Sequence, residues 1–327
     1  MKAKNLTAAA APGASLANVK DYEAIISAFL AHIDTQNART RRAYTHQIHY
    51  FFDWIRETGR DLSALDCVDI YAYRDHLAAD KGLAAYTIAA YLTAVRLFYQ
   101  WANRSKLYPN ITDGVKLPKR QARYKRDYLP TDLARQLVNQ AATTNPRDYA
   151  IIMLLLFGAL RTIEVIRADV GDLETMAGRR FLRVWGKGHT EKDQRIKLSA
   201  ATAAAIDAYL ATRPAETLTP DAPLFLSCAH NMAADRLTTK TIRATARKNL
   251  DAIGLTNQAF NRAFTAHSLR HTCASLMLDS GAPLPDVQQH CRHVSIATTQ
   301  HYFKLIAEHR YLESKAVDNY ENSVLAI

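Results

Sequence analysis

Four cysteines in a chain of 327 residues are few. Cys67, Cys228, Cys273 and Cys291 contain no Cys-x-x-Cys, and their spacing outlines no disulfide framework. Cys273 and Cys291 sit in apolar helical patterns and read as buried thiols of a protein kept in the reducing cytoplasm. No run of about 18 apolar residues occurs, which excludes a membrane-spanning helix. The opening MKAKNLTAAAAPGASL is basic and alanine-rich, but it lacks the Leu, Ile and Val density of a secretory signal. Residues 1–18 read as a disordered tail. Metal-hydrolase patterns are missing too. His267 and His271 have the i, i+4 spacing of a metal pair, but Ser268 stands where His-Glu-x-x-His requires Glu. No Asp-x-Asp pair supports a two-metal nuclease. Gly186-Lys187-Gly188 lacks the spaced first glycine and the following Ser or Thr of a phosphate loop.

Acidic charge is also in short supply. There are 42 Lys and Arg against 31 Asp and Glu, a net charge of +11. Residues 1–122 hold 16 of these bases and 11 of the acids, and residues 123–327 hold 26 and 20. The excess is therefore shared between the halves, as expected of a protein that touches a polyanion with two surfaces. The length suits about two domains of roughly 150 residues.

The first half carries helical signals throughout. Val19–Ile33, Thr40–Ile55, Cys67–Ala79 and Tyr86–Ala102 place apolar residues at helical spacing. Gly59 and Lys81-Gly82 punctuate the connections. A small helical bundle over 19–115 follows. Arg39, Arg41 and Arg42 near one helix start, with Thr87, Tyr91 and Arg96 on the last helix, suit phosphate contacts; a solvated helix face is the plainer reading of each residue alone. KLPKRQARYKR, within 116–127, is basic and aperiodic and reads as an interdomain linker.

The second half, 128–327, mixes elements. A helix starts near Thr131, and Asp148–Leu160 is a nearly all-apolar core helix. Arg179–Trp185 and Arg195–Leu198 flank a Gly-Lys-Gly-His turn as a β-hairpin. Ala200–Leu210 and Thr238–Ile253 are helical, the latter carrying Lys240, Arg243 and Arg247. Further helices are expected near 267–279, 284–291 and 295–302, with one last helix over Ile306–Ile327.

Chemistry concentrates between His267 and Tyr302. His267 and Arg270 are three apart and share a helix face. An arginine fork fits two phosphate oxygens at once, and Arg161, directly after the apolar helix, is a second such fork. A buried Arg161 needs a partner; Glu164, three residues on, is the simpler one and a phosphate the other. Lys187 at a hairpin tip can swing into a neighbouring site and protonate a leaving oxygen, or be a solvated turn lysine. His293 lies 23 residues past Arg270, and Tyr302 nine past His293. A tyrosine nucleophile must lose a proton with a resting pKa of about 10, which neighbouring cations favour.

Together these segments resemble the tyrosine recombinase (phage integrase) family of site-specific DNA recombinases. GALRTIEV at 158–165, WGKG at 185–188, HSLRHTCAS at 267–275 and the His293–Tyr302 segment ending TTQHYF carry the resemblance, which spans about residues 20–305. It implies a mainly α fold with a small β-hairpin or sheet: a four-helix, SAM-like core-binding domain followed by an α+β catalytic domain. Tyr302 would attack the scissile phosphate, forming a 3′-phosphotyrosine and releasing a 5′-hydroxyl. Arg161 and Arg270 would clamp the non-bridging oxygens, His267 would assist proton transfer, Lys187 would protonate the leaving oxygen, and His293 would hydrogen-bond the phosphate. Glu164 would orient local structure.

No ATP, metal or other cofactor is implied. The implied partners are double-stranded DNA bearing a recombination site and three further copies of the chain, with a Holliday junction between two sites. A related second recombinase or an accessory factor could join them. Lys240, Arg243 and Arg247 would enter the major groove, and the C-terminal helix would dock on a neighbouring protomer. The short lead-in before the first helix implies a two-domain recombinase without an arm-binding domain. One departure stands out: Cys291-Arg292-His293 replaces the family's Leu-Gly-His. Arg292 strains a helix-end turn that glycine suits, and it offers an extra cation for DNA. A catalytically silent DNA-binding protein on the same fold and a type IB topoisomerase are the competing expectations.

Overall fold

The computed structural model describes residues 22–33, 38–118, 128–186, 191–227, 235–255 and 264–325. The expected tail at 1–18 and most of the linker at 116–127 lie outside these residues. The chain divides into two compact units, 1–124 and 125–327.

The first unit holds α1 (Tyr22–His32), α2 (Ala38–Glu57), α3 (Cys67–Ala79) and α4 (Ala85–Arg104). Its core is aromatic. Phe51 meets Tyr73 at 4.9 Å and Phe52 meets Phe98 at 5.2 Å, both edge-on, the arrangement favoured by ring quadrupoles. The start of α3 is fixed by Asp66, whose carboxylate accepts from the Val68 and Asp69 N–H groups while Asp69 answers back to Asp66 N, a reciprocal cap that satisfies otherwise orphaned donors. Gly59 and Gly82 take φ of 64° and 60° between helices, a conformation open to glycine without a Cβ penalty.

The second unit opens with α5 (Thr131–Ala142), α6 (Pro146–Leu156) and α7 (Thr162–Arg167). β1 (Leu173–Met176), β2 (Arg179–Val184) and β3 (Gln194–Lys197) form an antiparallel sheet in that order. In it Leu182 faces Ile196 and also Leu173. Then come α8 (Ala200–Leu210), α9 (Thr239–Ala252), α10 (Ala266–Asp279), α11 (Leu284–Cys291), α12 (Ile296–Glu313) and α13 (Ala316–Leu325). α6 is the centre of this unit: every residue from Ala150 to Leu156 is buried, with α5, α8, α9 and α10 packed around it. Cys273 and Cys291 are buried and Cys67 is exposed; Cys228 lies outside the described residues.

Several elements differ from the sequence expectation. α6 ends at Leu156 rather than at Leu160, because the chain turns tightly there. A Cβ on Gly158 would lie 2.6 Å from Leu160 Cδ1 and 2.8 Å from the Leu154 carbonyl oxygen. α7 and β1, of six and four residues, are too short to show a period. The last segment is not one helix from Ile306: α12 runs through Tyr302 to Glu313, and α13 begins only at Ala316.

Candidate active site

The turn after α6 supplies the base of the site. Ala159 takes a φ of 49°, a left-handed conformation that costs a residue with a Cβ about 1–2 kcal/mol. Its carbonyl faces inward and accepts from two arginines, Arg270 Nη1 and Arg292 Nη2. Two residues on, Arg161 caps α7. Glu164, one helical turn later, accepts from the Arg161 backbone N–H at 2.8 Å and from Arg161 Nη1 at 2.6 Å. The simpler partner of Arg161 is thus in place, and its side chain stays half-buried, 29% exposed.

α10 brings in Arg270, 3% exposed. Its guanidinium spans two turns of chain, donating to Ala159 and to the Cys291 carbonyl at the end of α11. Burial, then Arg161 and Arg292, bring its pKa down to about 10, so it stays charged at neutral pH. Burial also works against the Glu164 carboxylate. Arg292, Arg161 and Arg270 outweigh it and hold the group below the usual carboxylate range.

Arg292 closes α11 in the left-handed region, at φ 53° and ψ 49°. Its guanidinium points inward and donates to Glu164 Oε2 at 2.8 Å, to the Ala159 carbonyl at 2.9 Å and to the His290 carbonyl at 2.7 Å. The strained turn expected at Arg292 is present. The extra cation for DNA is not, because these bonds draw the side chain into the interior, where it is 3% exposed.

His293 follows directly. Its Nδ1 pairs with the buried Thr299 hydroxyl at 2.9 Å. Burial first, then Arg270, Arg161 and Arg292, lower its pKa to about 4, so it is a neutral imidazole at pH 7. Its ring stacks on that of Tyr302, 5.9 Å between centroids and 6° between planes. Tyr302, from α12, is 3% exposed, and its hydroxyl shares a hydrogen bond with His271 Nδ1. The His267 ring lies 4.5 Å from that of His271 and is itself exposed.

Arg161, Glu164, Arg270, His293 and Tyr302 therefore belong to one network in the second unit, with His267 at its rim. Lys187 lies outside the described residues. Arg292, His271 and Thr299 join the network in roles that the motif reading does not assign to them. For His271 the signal is its i, i+4 spacing from His267, which the metal reading uses instead.

Lys240, Arg243 and Arg247 are exposed along α9, at spacings that share a face. Arg41 and Arg42 are exposed on α2, whereas of Arg39 only the backbone is described. Thr87 is half-buried at the first turn of α4. Tyr91 meets His46 Nε2 at 3.1 Å. Arg96 donates to the Val115 carbonyl at 2.7 Å and so ties α4 to the chain leaving the bundle. Among the described residues no helix is long and apolar enough to cross a membrane.

The Phage integrase family profile matches residues 127–309, and the profile of the phage integrase N-terminal SAM-like domain matches 26–106. The chain is 32% identical over 290 residues to the tyrosine recombinase XerC of Pelotomaculum thermopropionicum, covering 83% of this chain and 89% of that protein. It is also 32% identical over 292 residues to XerC of Rhodospirillum centenum, covering 86% and 82%. Among solved structures, XerH recombinase bound to difH in a post-cleavage complex shares the fold. Its TM-score is 0.69 at 16% identity, covering 86% of this chain and 79% of that one. The Tn1549 transposon integrase bound to a circular intermediate DNA gives a TM-score of 0.64 at 15% identity, covering 88% and 98%.

Proposed function

This chain belongs to the phage integrase family of tyrosine recombinases, and from that premise we propose a chemistry for its site. The protein is a DNA recombinase. The observation that carries the mechanism is the gathering of Arg161 and Arg270 around a neutral His293 whose ring stacks on that of Tyr302.

Tyr302 Oη attacks the scissile phosphorus, and its proton passes to His271 Nδ1, the base that its hydroxyl already meets. His267, stacked edge-on against His271 at the surface, relays that proton outward. The new bond is a 3′-phosphotyrosine. The bond that breaks frees the 5′ oxygen, which takes a proton from Lys187. Arg161 and Arg270 hold the non-bridging oxygens as charge builds on them, which is where fixed donors lower a barrier most. His293 acts as the tautomer whose Nδ1 accepts from the Thr299 hydroxyl, so that its Nε2–H donates to the same phosphate. The reverse attack by a 5′-hydroxyl of another strand reseals the backbone. The phosphotyrosine conserves the bond energy, so neither ATP nor a metal takes part.

The wider reading follows the same premise. Four protomers exchange strands pairwise at two specific DNA sites through a Holliday junction, in the cytoplasm, with or without a second recombinase or accessory factor. α9 supplies major-groove contacts through Lys240, Arg243 and Arg247, and Arg39, Arg41, Arg42, Thr87 and Tyr91 supply contacts from the bundle. Val317, Tyr320, Val324 and Leu325 are exposed on α13, and through these apolar residues the helix docks on a neighbouring protomer. A pool of random-sequence duplexes, each nicked to let the leaving strand diffuse away, tests the reaction. Wild type should accumulate a covalent protein–DNA adduct in EDTA, linked at the DNA 3′ end. No adduct, or one that needs a divalent ion, would overturn the scheme.

A further inference from the structure

Arg292 is an unfavourable residue for folding where it stands. It occupies a left-handed turn that glycine adopts without penalty. It buries a guanidinium whose Nε has no hydrogen-bond partner, and an unmade bond of that kind is destabilising. A residue that breaks two local rules at once, beside a site, points to a role in that site.

The bonds it makes show which role. Glu164 lies between Arg161 and Arg292, with one carboxylate oxygen on the Arg161 side chain and the other shared by the Arg161 backbone and Arg292. Without Arg292, Glu164 would neutralise Arg161 alone, and an incoming anion would meet one uncompensated guanidinium, that of Arg270. With Arg292 present, the three arginines exceed Glu164 by two charges. Arg292 also grips the Ala159 carbonyl together with Arg270, so the turn after α6 and the turn that carries His293 are fixed to each other.

We propose that Arg292 is a positioning residue for the reaction: it takes up the charge of Glu164 from inside the turn and so leaves the guanidinium of Arg161 available to a phosphate. This deepens the recombinase reading and rests on it for the identity of the anion, but not for the charge balance itself.

Inorganic sulfate binding by calorimetry, with the full-length protein, tests the charge balance without DNA. Arg292→Gly suits the left-handed turn and removes the charge; it should weaken sulfate binding about tenfold, the scale of one unit charge at this range. Arg292→Lys, which keeps the charge, should stay within about threefold of wild type. Glu164→Gln alone should tighten binding, and Arg292→Gly with Glu164→Gln should return it close to wild type. A merely structural Arg292 predicts the opposite for the double variant, since a second lesion in a damaged turn does not repair it.

The proposal is overturned if Arg292→Gly binds sulfate as wild type does, or if the double variant binds no better than Arg292→Gly. Should Arg292→Gly not fold, Glu164→Gln decides: weaker sulfate binding than wild type overturns the proposal. Adduct formation on nicked DNA separates the two levels. A wild type that forms no adduct but follows the sulfate pattern defeats the recombinase reading and leaves this inference standing. An active wild type with an equally active Arg292→Gly defeats this inference alone.

Discussion

The two units bury different kinds of side chain. Among the described residues of the first, Thr112 is the one buried polar residue, and the interior is otherwise aromatic and aliphatic. The second buries Glu164, Arg270, His271, Arg292 and Thr299, among others. A hydrophobic interior stabilises by area removed from water, whereas buried charges stabilise only when each is paired. The bundle thus keeps its interior for stability. The second unit holds its chemistry inside, in a network where each charge depends on its neighbours.

The largest expected contrast is kinetic. Arg270→Ala should slow adduct formation about 10²–10³-fold, the usual effect of removing one preorganised charge at a reacting oxyanion. Phe51→Ala in the bundle should instead reduce stability by about 3–5 kcal/mol in urea unfolding, while the folded fraction cleaves at the wild-type rate. Equal cleavage by Arg270→Ala and wild type would erase the contrast.

Next come the ion pairs. Glu164→Gln leaves Arg292 buried without its counter-charge and should destabilise the second unit by about 3 kcal/mol. Asp53→Asn removes the exposed pair with Arg56, 3.3 Å apart in α2, and should change stability by less than about 1 kcal/mol. Denaturant midpoints of both variants check this, and equal effects would mean that burial does not distinguish the two pairs.

Acid should act on the second unit through His293. Its folded pKa is about 4, against about 6.5 for a free imidazole. Between these values the unfolded chain binds more protons, so stability falls as pH drops from about 6.5 to about 4, by up to about 3 kcal/mol. The depressed Glu164 carboxyl adds to the loss at still lower pH. Unfolding midpoints across that range should flatten in His293→Asn; an unchanged slope would contradict the burial of a neutral imidazole.

The smallest effects belong to the surface. Lys240→Ala and Arg243→Ala should each lower the salt dependence of DNA binding by about one counterion. Arg96→Ala should leave that slope unchanged, because its guanidinium serves the Val115 carbonyl.

The same contrast explains what the sequence disclosed. Cys67–Ala79 is helical over the span its pattern predicts, with Ile70, Tyr73 and Leu77 buried at helical spacing, and Ala200–Leu210 likewise because alanine favours helix throughout it. α7 and β1 are too short to show a period. The motif residues Arg161, Arg270 and Tyr302 were legible as types at a spacing. The inward aim of Arg292 was not, because it depends on Glu164 and on the Ala159 carbonyl, 133 positions away in the chain. Nor was the pairing of Tyr302 with His271, which joins α12 to α10 across 31 positions.

The central claim is that the phenol of Tyr302 is the group that joins DNA. Mass spectrometry of the trapped adduct after proteolysis tests it most directly. The account predicts a nucleotide on the peptide containing Tyr302, attached through phosphotyrosine and absent from Tyr302→Phe. A nucleotide on any other residue, or an undiminished adduct in Tyr302→Phe, would contradict it.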